Sequence, residues 1–97
     1  MPTLIQIFDK IKLYKPILAE RYSVNSIGVF GSFVRGENTE ASDLDILVEF
    51  SKPISLFLFL DLEESLSRLL GAKVDLVSRK SMKTEIGKHI LSEVKLV

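Results

Sequence analysis

The sequence predicts an α/β domain: a small mixed sheet of at least three strands flanked by helices. Three observations carry that expectation. Apolar residues at helical spacing open and close the chain. Between them lie two runs suited to strands, Ile27–Phe30 and Leu44–Phe50. A third such run, Lys73–Val77, follows a strongly apolar helical segment. Ninety-seven residues sustain one hydrophobic core, so the elements are expected to pack as a single domain over residues 1–97.

Each element has its own signal. Thr3-x-x-Gln6 is a capping box, and the helix it opens is carried by Leu4, Phe8, Ile11, Leu18 and Tyr22. A break or kink is expected at Pro16, whose ring removes a backbone donor. Asn25 and Ser26 then lead into the short strand Ile27-Gly28-Val29-Phe30, which ends at Gly31. In the strand Leu44–Phe50, alternation places Leu44, Ile46, Val48 and Phe50 on one face. Asp43, Asp45, Leu47 and Glu49 share the other. The two aspartates therefore point the same way, roughly 6.6 Å apart along the backbone.

Ser55–Leu70 is a helix stopped by Gly71. Its leucines and Phe59 fill an arc of roughly 200°, wider than the ~100° a single buried stripe needs. Phe57 falls outside that arc, beside Asp61, Glu64 and Arg68, and is either an isolated exposed aromatic or a contact for a second subunit or partner. In Lys73–Val77, Asp75 faces away from Val74 and Leu76. The tail from Ser81 is a helix through Ile86, Ile90, Leu91 and Val94.

Composition excludes several classes of function. Thirteen basic and thirteen acidic residues cancel, so no global field draws the chain to nucleic acid or anionic lipid. Without cysteine there are no disulfides and no thiolate metal sites. The N-terminus lacks the pattern of a signal peptide, and the longest nearly uncharged apolar stretch, Pro53–Leu60, is far short of the ~20 residues that span a bilayer. A cytoplasmic protein without membrane attachment is expected.

The chemistry concentrates in Gly31–Asp45, "GSFVRGENTEASDLD". Two like charges at the edge of an apolar run repel and need a metal, a basic partner or solvent to compensate them. Two carboxylates on one strand face, with Asp75 on a later strand, suit magnesium or manganese, hard ions that take oxygen ligands and substrate phosphates. Two such ions about 4 Å apart stabilise the attacking and leaving oxygens of a phosphoryl transfer. Gly31-Ser32 could offer main-chain N–H groups and a hydroxyl to phosphate.

This pattern, Gly31-Ser32 followed after ten residues by Asp43-x-Asp45 and later by Asp75, resembles the polymerase-beta-like nucleotidyltransferase superfamily. Arg35-Gly36, Ser42-Asp43, "GAKVDLV" and the short length resemble its minimal nucleotidyltransferase branch, over most of the chain from about Ser26. The resemblance implies the nucleotidyltransferase fold and transfer of a nucleoside monophosphate, AMP from ATP, to a hydroxyl. By position, Asp43 and Asp45 would ligate two Mg2+ ions (Mn2+ being an alternative). Asp75 would complete one site and help deprotonate the acceptor. Ser32 and the backbone of Gly31 would contact the triphosphate, and Arg35 would contact phosphate or brace the loop. Minimal members partner a HEPN-domain RNase toxin encoded beside them and act as antitoxins by adenylylating a toxin tyrosine; a homodimer is also compatible.

Val34 departs from the alanine common in relatives, which bears on loop packing and not on a ligand. Larger relatives recognise the base and acceptor with a second domain; none is expected within these 97 residues, and a partner would then complete the site. Taken alone, Asp43 is a solvated turn residue, and only its conjunction with Asp45, Asp75 and Gly31-Ser32 reverses that reading. Gly36 is expected to meet a backbone need, Glu49 to be a solvated or ion-paired edge residue, and His89 to lie on the surface. Arg79, Lys80, Lys83 and Lys88 are expected to form a solvated face. The competing functions are a non-catalytic nucleotide-binding module that neutralises its partner by contact, and transfer to a small molecule such as an aminoglycoside.

Overall fold

The computed structural model describes residues 2–97. Its elements run α1 (Leu4–Tyr22), β1 (Val24–Phe30), α2 (Ser32–Arg35), β2 (Leu44–Phe50), α3 (Leu56–Leu70), β3 (Val74–Ser78), α4 (Thr84–Glu93) and β4 (Lys95–Leu96), with a 3-10 turn over Arg79–Ser81. The sheet order is β3-β2-β1-β4. β2 and β3 are parallel, while β1 pairs antiparallel with both β2 and β4, so the sheet is mixed.

The alternation in β2 divides the molecule as its sequence predicts. Leu44, Ile46 and Val48 enter the main core with Ile27 and Val29 of β1, Val74 and Leu76 of β3, and the inner faces of α1 and α3. On the opposite face, Phe30 and Leu47 pack under Ile90 of α4, with Val77, Met82 and Val94 around them. The aspartates share this second face, which α4 only partly covers.

The capping box is present in full: Thr3 Oγ1 accepts the Gln6 N–H, and Gln6 Oε1 accepts the Thr3 N–H. Pro16, however, neither breaks nor ends α1, which runs uninterrupted through 19 residues. Its ring lies on the exposed side, and Ile11 and Leu18 on either side of it are buried in the core. Packing of the apolar stripe thus compensates the single backbone bond that proline removes. The helix closes at Ser23, whose left-handed conformation (φ 58°) turns the chain straight into β1. That strand consequently begins at Val24, three residues before the predicted start, with a register shift between Val24 and Ser26.

β3 lies at the sheet edge, where unpaired N–H groups invite another strand. α3 covers them: Glu63 Oε2 accepts the Leu76 N–H and Ser67 Oγ the Val74 N–H, both at 2.9 Å. Asp61, read from sequence as part of a polar face, accepts the Tyr22 hydroxyl at 2.7 Å and ties α3 to α1. Leu62, Leu66 and Leu70 are buried, whereas Leu56, Phe57 and Leu60 are exposed, so the wide apolar arc is only partly used within the chain. Glu49 pairs with Arg79 at 3.3 Å, so Arg79 is not one of a purely solvated set of cations.

A fourth strand completes the sheet. β4 lies against Gly28, where an added Cβ would stand 2.6 Å from Val94 Cγ2 and 3.0 Å from the Lys95 carbonyl oxygen, so only glycine admits the C-terminal segment this close. Among the described residues no helix is long and apolar enough to cross a membrane.

Candidate active site

The site is built where β1 stops beside the start of β2. Phe30 pairs with Asp45 across these strands, so the turn that follows β1 lies against the Asp45 carboxylate. Gly31 makes that turn with φ 80° and ψ −154°, a conformation that side chains disfavour. A Cβ there would clash with Oδ2 of Asp45. Two independent constraints, torsion and space, therefore demand glycine. Its carbonyl accepts the N–H groups of Val34 and Arg35, which starts the single turn of α2. Phe33 is buried in the main core and Val34 packs at its margin.

The parallel pairing of β2 and β3 sets Asp75 level with Asp45. Asp43, one residue ahead of β2, is exposed, as is Asp75; Asp45 is half-buried. Burial, foremost, and then the like charges of Asp75 and Asp43 push the Asp45 carboxyl up to about 6. The guanidinium of Arg35 opposes this rise without cancelling it. The three aspartates thus interact electrostatically at one corner of the second sheet face. Among the described residues, no group of three or more acidic or histidine side chains is gathered tightly enough to hold a metal unaided. An open, oxygen-only donor set of this kind fits a hard divalent ion that keeps water and substrate oxygens as its other ligands.

Arg35 is a brace. Its Nη1 donates to Glu93 Oε2 at 2.9 Å and Oε1 at 3.0 Å, and its Nε to Glu37 Oε1 at 3.1 Å. The Gly31 N–H donates to the same Glu93 Oε1 at 2.5 Å, so this amide is engaged within the chain. The Arg35 guanidinium, and then the Gly31 N–H, hold the Glu93 carboxyl below its ordinary value. Glu93 did not emerge from the sequence, where it is one more acid near the end of a helix. His89 is exposed and stands 3.9 Å from Glu93, and among the described residues it belongs to no group that could hold a metal. Gly36 ends α2 in a left-handed conformation, the backbone role expected of it.

A cavity of about 360 Å³ borders Asp43, lined also by Phe33, Ser42 and Lys73. A larger one, about 650 Å³, lies at the other end of β2 and β3, among Phe50, Phe59 and Arg79. The larger cavity is remote from the carboxylates and contributes nothing to their chemistry.

Comparison with known proteins places this geometry in a family. The nucleotidyltransferase domain model matches residues 11–97. A protein adenylyltransferase, MntA, of Thermococcus cleftensis is 51% identical over 94 residues, covering 97% of this chain and 95% of that protein. The solved structure of a candidate minimal nucleotidyltransferase is similar at a TM-score of 0.82 and 31% identity, covering 96% of this chain and 94% of that one. A crystal structure of a toxin–antitoxin with AMP-PNP is similar at a TM-score of 0.75 and 26% identity, over 91% of this chain and 71% of that one. With the Gly31 turn set against Asp45, and with relatives this similar over nearly its whole length, the chain belongs to the nucleotidyltransferase-domain family, as an enzyme of its minimal branch.

Proposed function

We propose that this enzyme transfers AMP from ATP to a tyrosine hydroxyl of a HEPN-type RNase toxin encoded beside it, and so acts as a cytoplasmic antitoxin. The observation that carries the reading is the placement of Asp45 and Asp75 side by side on parallel strands, next to the Gly31-Ser32 turn. The 51% identical relative named as a protein adenylyltransferase supports AMP as the group and protein as the acceptor.

In this reading the acceptor oxygen bonds to the α-phosphorus and the bond from the α-phosphorus to the bridging oxygen breaks. Pyrophosphate leaves with the electron pair, and the hydroxyl proton passes to Asp75. Asp43 and Asp45 would hold two magnesium ions, with Asp75 completing one site; manganese fits the same donors. When bound, the ions supply charge neutralisation at the attacking and leaving oxygens. Ser32 contacts the triphosphate, and Gly31 brings the main chain close enough for it to do so.

The test incubates the protein with labelled ATP, magnesium and the product of the neighbouring gene. Label should appear on a tyrosine of that partner, vanish with a chelator, and accompany loss of RNase activity. Neutralisation without label would instead favour inhibition by contact, and the absence of both label and neutralisation would sink the proposal.

The partner contact falls on α3. Phe57 is 85% exposed beside exposed Leu56 and Leu60, an apolar strip unused within the chain. Phe57→Ser should reduce toxin capture or self-association at an unchanged melting temperature. Unaltered pull-down and sedimentation would remove Phe57 from the interface.

A further inference from the structure

We infer that Glu93 is a positioning residue for nucleotide transfer, holding the Gly31-Ser32 turn from the far end of the chain. The inference rests on the function proposed above and adds a residue to it. Its starting point is that α2 contains four residues, a single turn too short to sustain its own conformation. Its geometry must be imposed from outside.

Two anchors impose it. Phe33 is buried in the main core on one side. Glu93 supplies the other, accepting the Gly31 N–H through Oε1 while both its oxygens accept from Arg35 Nη1. Gly31 opens the turn and Arg35 ends α2, so one carboxylate clasps both ends of the element that carries Ser32. The carboxylate is itself held firmly, because Ile90 and Val94 seat the end of α4 over Phe30 and Leu47. Its side chain is only 13% exposed. An anchored, bidentate carboxylate suits a clasp better than a mobile anion that ATP must expel. The two roles predict opposite effects on nucleotide affinity, which makes them separable.

The experiment compares wild type, Glu93→Gln and Glu93→Ala in steady-state transfer from ATP with magnesium, using the neighbouring gene's product as acceptor and recording melting temperatures alongside. Glu93→Ala removes charge-assisted hydrogen bonds and should raise the KM for ATP about tenfold, with a smaller change in kcat. Glu93→Gln keeps an oxygen for the Gly31 N–H and should fall between the two. A merely structural role would lower the melting temperature and the active fraction, yet leave the KM of the folded enzyme unchanged. An unchanged or lowered KM in Glu93→Ala overturns the assignment. Should that variant not fold, the KM of Glu93→Gln decides in the same way. A wild type that transfers nothing overturns the proposed function and this role with it, whereas an active wild type with unaltered variants overturns this role alone.

Discussion

Asp45→Asn should raise the melting temperature of the metal-free protein at pH 7.5 while abolishing nucleotide transfer. Burial and the charges of Asp75 and Asp43 lift the folded-state pKa of Asp45 to about 6, from an ordinary 3.8. A group whose pKa is higher folded than unfolded adds stability below its unfolded value and loses it as pH rises through the folded one. Ionised Asp45 therefore opposes folding above about pH 6. The penalty is about 1–2 kcal/mol once solvent screening of a half-exposed carboxyl is allowed for. Asparagine removes the charge at nearly constant volume, and the melting temperature should rise by roughly 5 °C.

That gain should shrink on acidification and disappear below about pH 4, where aspartate is itself neutral in both states. Wild type should recover the deficit with magnesium and ATP, and Asp45→Asn should not. Thermal melts at several pH values, with and without magnesium plus ATP, check each statement. A large loss of stability in metal-free Asp45→Asn would mean that Asp45 belongs to a buried structural network, whose rupture costs several kcal/mol.

Gly31→Ala should be the most damaging single methyl group that can be added near the site. Alanine at φ 80°, ψ −154° stores backbone strain, and its Cβ would clash with Oδ2 of Asp45. Either the turn or the carboxylate must move. The combined strain and overpacking should cost about 2–5 kcal/mol, lowering the melting temperature by at least about 10 °C. Transfer measured well below the melting point should still fall about a hundredfold, because displacement by 1 Å is enough to disturb an aligned site. Gly36→Ala is the control. Its φ is also positive, but nothing lies within 4 Å of the added methyl, so it should lose about 1 kcal/mol and keep its transfer rate. If Gly31→Ala melts and transfers like wild type, the close approach of turn and carboxylate has no functional weight.

The sequence by itself determined what depends on near neighbours. Alternation from Leu44 to Phe50 specifies which residues enter the core and which carry carboxylates, because strand side chains reverse at every residue. The Thr3–Gln6 capping box and the stop at Gly71 are equally local, and each is found where its residues predict it. The spacing of Gly31-Ser32, Asp43 and Asp45 also lies within one short segment, which is why the candidate site and its family were legible.

Tertiary structure decided what depends on distant partners. Whether Pro16 interrupts α1 turned on how firmly the stripe on either side is packed, which periodicity does not report. β4 has two residues and pairs through its backbone against Gly28, so no side-chain pattern announces it. The raised pKa of Asp45 comes first from burial in the assembled fold and then from Asp75, which the parallel register brings level with it from 30 residues along the chain. Glu93 meets Arg35 and Gly31 across separations of 58 and 62 residues. Hydrogen bonds and Coulomb forces act over a few ångströms of space, so partners remote in sequence become neighbours only once the sheet and α4 have assembled.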